Sequence, residues 1–215
     1  MNGEIRSIRG IVLRTTESGA GGRRISVFTE ETGMSCFFIS RGLISRYGAG
    51  GLLPLCRVRI TAAFSHQTAV VTQYEGQPLF DVLNITYEEL RQWSYLIEIV
   101  QLFFPEGERD SHVYSILCRA AETAAVKNPS VTAFTAVVQI LCAAGYDPSG
   151  KETAREMALS EEAHSLICAL VCYSWTGAPA MTIHSDVFRE SALFLDRFLE
   201  KVCDVKLRTS GAFSI

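Results

Sequence analysis

With 215 residues, 48% of them hydrophobic and 20% charged, the chain is able to bury a core, and this composition excludes an intrinsically disordered polymer. The net charge of −3 neither favours nor excludes a nucleic-acid ligand. The first residues lack the apolar stretch of a signal peptide, and the longest unbroken apolar run, Leu166 to Tyr173, is too short for a membrane span. The sequence therefore predicts a cytoplasmic protein that does not bind membranes.

The first part of the chain, up to about Leu79, has the patterning of short strands separated by glycines and polar residues. The clearest strand alternates Cys56, Val58 and Ile60 with Arg57 and Arg59, so one face is apolar and the other carries two arginines. The predicted strands are 5–15, 24–29, 34–40, 55–64 and 67–75. Five strands are typical of an OB-fold barrel, although the periodicity fits an SH3-like barrel equally well.

The chain after about Leu83 has helical periodicity instead. Thr86 and Glu89 form a capping-box pattern at the start of the first helix. The predicted helices cover about 86–104, 111–126, 130–145 (with Ser130 as the cap), 161–174 and 186–203. The predicted fold class is therefore α+β, with a five-stranded OB-fold barrel in residues 1–80 followed by an all-α domain in residues 81–215.

The charge distribution follows the same division. Residues 1–80 carry nine arginines, no lysine and five acidic residues, which gives a net charge of +4. Residues 81–215 carry eleven basic and eighteen acidic residues, which gives −7. A basic barrel beside an acidic helical domain indicates an anionic ligand on the barrel.

Enzyme motifs are missing from the sequence: it has no phosphate-binding loop, no nucleophile elbow and no zinc-protease helix. His164, Cys168 and Cys172 fall on one helix face, but the first and last are about 12 Å apart along the axis. One zinc ion with ~2.3 Å bonds cannot reach all three. We therefore expect a binding protein without catalytic residues, cofactor or metal.

Arginines on the barrel are the candidate site. Guanidinium groups pair with phosphate and stay charged at any relevant pH. Between the arginines in the sequence lie four aromatic residues whose rings can stack on bases: Phe37, Phe38, Tyr47 and Phe64. Because Phe37 and Phe38 are adjacent in a strand, only one of them can face the core. The candidate DNA-binding residues are Arg14, Arg23, Arg24, Arg41, Arg46, Arg57 and Arg59. Arg23 and Arg24 follow a glycine-rich loop and are expected to reach the ligand from the same side, and the glycine-rich stretch from Gly48 to Gly51 is expected to be a mobile loop.

Several segments resemble one family in their order and spacing. Gly10 to Thr15, Arg23 to Gly33, and Arg41-Gly42 with Ser45-Arg46 are similar to the barrel of RecO. Phe104-Pro105-Glu106-Gly107 and Leu141 to Pro148, which contains Gly145-Tyr146-Asp147-Pro148, resemble helix ends of the same family. The resemblance covers most of the chain. It implies an OB-fold with a helical domain and no catalytic residues.

The resemblance also implies a function and partners. RecO proteins bind single- and double-stranded DNA, anneal complementary strands, and help RecR to load RecA onto strands coated with single-stranded DNA-binding protein (SSB). The helical domain binds the acidic tail of SSB, for which Arg119 and Lys127 are the candidates here. Two features depart from the family. The four-cysteine zinc module after the Gly-Tyr-x-Pro turn is absent, and the loop after Gly42 contains one basic residue, Arg46.

Two other interpretations remain open at this stage. The chain could be an OB-fold module that binds RNA or single strands without mediator activity, but the helical half is foreign to such minimal modules. It could also be a protein-interaction scaffold with little DNA affinity, which the sparse basic loop favours. Interaction with RecR or RecA would distinguish a RecO-like protein from the first alternative. Salt-dependent DNA binding would distinguish it from the second.

Overall fold

The computed structural model describes residues 4–65, 68–79, 84–176 and 182–214 of the chain. The chain divides into two compact units. The first consists of Met1–Asn84 with Phe104–Cys118, and the second of Ile85–Phe103 with Arg119–Ile215. The expected α+β class is confirmed, with strands in the first unit and most of the helical residues in the second. No helix in the described ranges is both long enough and apolar enough to cross a membrane.

Five strands of the first unit close into a barrel in the order β1-β2-β3-β5-β4. They are β1 (Glu4–Ser18), β2 (Gly22–Thr29), β3 (Gly33–Ile39), β4 (Cys56–Ser65) and β5 (Thr68–Pro78). Neighbouring strands are antiparallel except β3 and β5, which pair in parallel at Phe38 and Val70. The long β1 pairs with β4 through its first half and with β2 through its second half, so one strand joins both edges of the sheet.

The barrel core follows from the alternation in the strands. Cys56, Val58 and Ile60 of β4 are each 1% exposed, whereas Arg57 and Arg59 between them lie on the outer side, as predicted. Ile25 and Val27 of β2 point into the same core. Because alternate residues of every strand face inward, closing the sheet buries one apolar row from each strand.

A short helix, α1 (Arg41–Tyr47), connects β3 to β4, so the prediction of a loop around Gly42 was wrong. Ser40 caps it, since its side chain accepts a hydrogen bond from the backbone N–H of Leu43 at 3.4 Å. The helix ends at Gly48, which has φ +83° and donates its N–H to the Ile44 carbonyl at 2.8 Å. Leu43 and Ile44 pack against the barrel core. Of the glycine-rich stretch from Gly48 to Gly51, the last two residues belong to a 3-10 turn, Gly50–Leu52.

Residues 104–118 cover part of the outer side of the barrel. Phe104 packs edge-on against Phe28, with ring centroids 6.1 Å apart. The N–H of Gly107 donates to the Met34 carbonyl at 3.0 Å. At Gly33, which has φ +69°, an added Cβ would lie 1.6 Å from the Glu108 carbonyl oxygen. The chain thus passes so close to the β2–β3 hairpin that only glycine fits at the turn.

The other helices are α2 (Tyr87–Phe103), α3 (Ser111–Ala124), α4 (Pro129–Ala143), α5 (Lys151–Glu156), α6 (Glu161–Val171) and α7 (Ser185–Lys201). The predicted capping box is confirmed: Thr86 N–H donates to Glu89 at 2.7 Å, and Glu89 N–H donates to Thr86 at 3.2 Å. Helix α4 is almost entirely buried and lies against α2 and α6. Its cap is Asn128, which accepts from the N–H groups of Ser130 and Val131, so the prediction of Ser130 was wrong.

Two carboxylates hold the C-terminal segment of the helical unit. Glu98 of α2 accepts hydrogen bonds from the backbone and side chains of Arg208 and Thr209, at 2.8 to 3.3 Å. Asp196 of α7 accepts one from the Gly211 N–H at 2.8 Å and another from the Tyr95 hydroxyl at 3.0 Å. Glu98 is 9% exposed, so these bonds satisfy a charge that would otherwise be costly to bury.

Candidate nucleic-acid interface

Strand geometry separates two of the predicted arginines. Arg23 and Arg24 are consecutive residues of β2 and therefore point to opposite sides of the sheet. Arg24 shares its side with Ser26, whereas Arg23 shares its side with the buried Ile25. The expectation that Arg23 and Arg24 approach a ligand from the same side was wrong, because adjacent strand residues alternate.

Arg14 and Arg24 share one open surface, which we call the β1–β3 outer face. In the strand register Arg14 pairs with Ser26, Thr16 with Arg24, and Arg24 with Phe38. This face consists of Arg14, Thr16, Ser18, Gly22, Arg24, Ser26, Cys36 and Phe38. None of these residues is acidic, and in the described part of the chain no carboxylate is ion-paired with Arg14 or Arg24. Both guanidinium groups therefore remain available to a phosphate.

Three more arginines lie near α1. The side chain of Arg41 lies over Gly21, with its Cδ 3.1 Å from the position of a Cβ built on that glycine. Arg46 lies over the ring of Tyr47, 5.3 Å from the centroid, and Tyr47 packs edge-on against Tyr74. Burial raises the pKa of Tyr74 and the positive charge of Arg23 opposes the shift, so Arg23 lies near that phenol. Arg23 therefore lies near Tyr74, Arg46 lies over the neighbouring Tyr47, and Arg41 lies beside the turn that precedes β2.

Arg57 and Arg59 belong to a third group, on the outer side of β4. Together with Arg9, which pairs with Arg59 in the β1–β4 register, they line a surface cavity of about 240 Å³. Acidic residues neutralise part of this group, since Arg9 lies 2.9 Å from Glu30 and Arg59 lies 3.1 Å from Glu75. Sequence reasoning missed Arg9, because only the register of β1 against β4 places it beside Arg59.

The aromatic residues of the barrel also separate by side. Phe37 is 3% exposed and lies in the core, whereas Phe38 is 49% exposed on the β1–β3 outer face, so the prediction that only one can face the core is confirmed. Phe64 is partly buried beneath Arg6, whose guanidinium lies 5.8 Å from its ring centroid. Tyr47 is occupied by Arg46 and Tyr74. Phe38 is therefore the most open of the four predicted rings.

The helical unit contains a cavity of about 420 Å³ between α4, α6 and the segments around them. Val131, Leu170, Trp175 and Ile183 supply apolar walls, and Lys127 lies at the cavity with its Nζ 3.0 Å from the hydroxyl of Tyr173. The predicted Lys127 is therefore at the cavity. The predicted Arg119 is an exposed α3 residue one turn before Thr123, which lines the cavity, but Arg119 itself does not line it.

Of the histidine and cysteines discussed above, His164 and Cys168 lie on α6, and Cys172 directly follows its last residue. His164 Nε2 is 2.8 Å from the Ser149 carbonyl oxygen and 3.6 Å from Cys168 Sγ. Within the described ranges no three His, Cys, Asp or Glu side chains are grouped so as to hold a metal ion. Cys142 lies on α4, where burial raises the pKa of its thiol to about 11, with Asp147 and Cys172 adding to the shift. That shift keeps Cys142 a thiol at neutral pH.

The fold and charge define a class of protein: a small closed barrel with a basic outer face, followed by a helical unit. The chain is 25% identical over 141 residues to the DNA repair protein RecO of Pelotomaculum thermopropionicum. The match covers 64% of this chain and about half, 54%, of that relative. It supports a RecO-like assignment at low identity, while no protein-family model matches the chain.

Proposed function

We propose that this chain is a RecO-like recombination mediator whose barrel is an OB-fold. In this proposal residues 1–80 bind single- and double-stranded DNA, and residues 81–215 form a helical domain that binds protein. The chain anneals complementary strands and, with RecR, helps RecA to load onto SSB-coated DNA. The observation that carries the proposal is the β1–β3 outer face, where Arg14 and Arg24 lie without a carboxylate partner. The partial match to a RecO protein supports it independently.

Annealing needs chemistry that these arginines can supply. Two complementary strands repel each other through their phosphates, and guanidinium groups neutralise phosphates without occupying the pairing edges of the bases. Arg14 and Arg24 make the strongest contacts in this proposal, since both are exposed and free of acidic neighbours. Arg23, Arg41 and Arg46 extend the basic surface around α1. Arg57 and Arg59 contribute less, because Glu75 and Glu30 neutralise part of their group.

Binding of a labelled oligonucleotide at several salt concentrations tests the DNA-binding proposal. We expect Arg14→Glu with Arg24→Glu to weaken binding for unrelated sequences and to lower the log–log salt slope by about 1.4, or about 0.7 per lost contact with a single strand. Arg57→Glu with Arg59→Glu should have a smaller effect. The matched control is Arg155→Glu with Arg197→Glu, which changes the net charge by the same amount at exposed helical positions. If both barrel double variants bind like the wild type and like the control, the barrel is not the DNA site.

For the helical unit, the proposed ligand is the acidic, apolar-ended tail of SSB. The cavity offers apolar walls for the tail's end, and Lys127 offers a cation for its carboxylates. Lys127 is held in place by Tyr173, whose ring centroid lies 5.6 Å from Nζ. Arg119 is one turn of α3 from the cavity-lining Thr123 and adds attraction over a longer distance.

A fluorescent tail peptide tests this assignment. We expect Lys127→Glu with Arg119→Glu to weaken peptide binding by more than about tenfold, since each change replaces attraction by repulsion. Lys151→Glu, an exposed change in the same unit, is the control. Unchanged affinity in the double variant would place the tail elsewhere. A chain that binds the peptide but no oligonucleotide would instead be a protein-interaction scaffold, which the apolar cavity alone also supports.

A further inference from the structure

We propose that Phe38 is the stacking platform for an unpaired base, and that it makes the barrel prefer single-stranded over double-stranded DNA. The inference rests on the proposed DNA-binding function and adds a residue that selects between the two kinds of DNA. It begins from the exposure of Phe38, which is 49% exposed between two core residues, Phe37 at 3% and Ile39 at 0%. An aromatic side chain left this open forgoes about half of the stabilisation that its full burial would give.

The ring of Phe38 is held in a defined position. Gly22 lies beneath it on β2, where an added Cβ would be 2.6 Å from Cζ and 2.7 Å from Cε2 of the ring. The distal edge of Phe38 therefore rests on the Gly22 backbone, in a space that any other residue would fill. In the described ranges no other aromatic ring packs on Phe38. A base that stacks here meets a ring that is already placed, which reduces the entropy lost on binding.

The charges around Phe38 match those of a nucleotide. Arg24 is its direct partner on β2, and neighbouring strands are about 4.8 Å apart, so one nucleotide can place its base on Phe38 and its phosphate at Arg24. Arg14 lies further along the same face and can take the next phosphate. Val70, the β5 partner of Phe38, is 60% exposed and extends the apolar surface on the opposite side. This face, with cations on one side of a free ring, suits a single strand.

A duplex cannot use such a ring in the same way. Its bases are already stacked on both faces, so a protein ring reaches them only at an end or after a base has been taken out of the stack. A single strand presents the faces of its bases freely, and one base stacked on an aromatic side chain strengthens binding by about 5- to 150-fold. The duplex should therefore be bound through Arg14 and Arg24 alone, and the single strand through the same arginines with Phe38 in addition.

Phe38 also has a purely structural explanation, because aromatic rings are known to cover glycines in sheets and stabilise them. Phe38→Leu separates the two roles. Leucine keeps an apolar cover over Gly22 but removes the stacking surface. We expect it to weaken single-strand binding by about tenfold and to change duplex binding by less than about twofold. The salt slope should stay at its wild-type value, since no phosphate contact is lost. Arg14→Gln with Arg24→Gln, the comparison variant, should weaken both ligands and lower the slope.

Phe38→Trp supplies a second readout that does not depend on how well the leucine variant folds. Its indole fluorescence should be quenched by an added oligothymidine but not by a hairpin duplex, after subtraction of the wild-type signal from Trp93 and Trp175. The inference is overturned if Phe38→Leu lowers single-strand and duplex affinity equally or neither, or if the tryptophan is not quenched. If the arginine variants lose binding while Phe38→Leu does not, the stacking role of Phe38 is refuted and the DNA-binding proposal stands. If the wild type binds no oligonucleotide, both fail.

Discussion

Glu98 anchors the C-terminal segment of the helical unit, and its replacement by glutamine gives a sharp test of the fold. One carboxylate oxygen of Glu98 accepts from the N–H and Nε of Arg208, and the other accepts from the N–H and hydroxyl of Thr209. Glu98→Gln keeps the shape of the side chain but replaces one oxygen by an NH₂ group. That group points its hydrogens at donors, so the bonds to one oxygen are lost and the backbone N–H among their donors is left without its partner.

The size of the effect follows from the number of bonds that are lost. A hydrogen bond to a charged group contributes about 1.5–3 kcal/mol, and an unsatisfied buried donor costs about 1–3 kcal/mol. Two hydrogen bonds are lost, and the site is only partly buried, so each bond counts for less than in a fully buried one. We therefore expect Glu98→Gln to lower the free energy of unfolding by about 2–4 kcal/mol. For a unit of this size that corresponds to a decrease on the order of 10 °C in the unfolding midpoint.

The pH dependence of this effect has a definite sign. Burial alone would raise the pKa of Glu98, but the hydrogen bonds from Arg208 and Thr209 outweigh burial and lower the pKa below its ordinary value. A carboxylate with a lowered folded-state pKa stabilises the protein fully above its unfolded-state value, about 4.3, and loses that contribution as the pH falls through the folded-state value. The difference between wild type and Glu98→Gln should therefore be largest near pH 7 and shrink below about pH 4.

Thermal unfolding followed by circular dichroism at pH 7, 5 and 3.5 measures both the size and the sign. Glu200→Gln is the control, because Glu200 is exposed on α7 and its replacement should change the free energy of unfolding by less than about 0.5 kcal/mol. A Glu98→Gln midpoint within 2 °C of the control at pH 7, or a difference that grows on acidification, would contradict the role assigned to this carboxylate (a shift of about 0.5 kcal/mol or less).

Three other predictions concern the helical unit and the barrel. We expect elemental analysis to find no stoichiometric zinc, since the cysteine pairs of the zinc module are missing after Gly145; about one zinc per chain would refute this. Asn128→Ala should lower the free energy of unfolding by about 1 kcal/mol in denaturant titration, because it removes the cap of α4, whereas Ser130→Ala should have little effect. Gly33→Ala should destabilise the barrel by several times more than Gly19→Ala, because a methyl group at Gly33 meets the Glu108 carbonyl and Gly19 has open space around it.

The strands were predictable from the sequence because half-buried strands alternate. The alternation of apolar and basic residues around Val58 predicts both the strand and which of its sides faces the core. Helix α1 was not predictable in the same way. It has seven residues, one of them Gly42, and an isolated helix of that length is unstable in water. Leu43 and Ile44 stabilise it by packing on the barrel core, which is a tertiary contact that local patterning does not reveal.

Helix ends show the limit of local signals. The capping box at Thr86 and Glu89 was predictable because both partners lie within four residues. At α4 the predicted cap was Ser130, but the structure uses Asn128, and Pro129 then takes the first turn of the helix, a position that suits proline. At the C-terminal end of α7, Phe198 is 1% exposed, whereas Val202, four residues further on, is 46% exposed and follows the last helical residue, Lys201. A periodic apolar pattern therefore does not show where the burial of a helix face ends.

The arginines of the candidate interface show a similar limit. Arginine content alone locates the basic barrel, and alternation places Arg57 and Arg59 on its outer side. The same alternation rule separates Arg23 from Arg24, and applying it to β2 would have avoided the expectation that they act together. The grouping of Arg9 with Arg59 depends on strand register. Register follows from pairing between distant segments, so it is not available from the pattern of one segment.

The basic outer face depends on an irregularity of β1 as much as on its arginines. The register shifts between Val12 and Arg14, and Leu13 is the extra residue. Before the shift, Arg9 lies on the outer side of the sheet and Val12 lies in the core; after it, Arg14 and Thr16 lie on the outer side. In an unbroken strand Arg14 would share the side of Val12 and point into the core. The bulge turns Arg14 outward, beside Arg24, so the same strand lines the core and supplies a cation to the candidate interface.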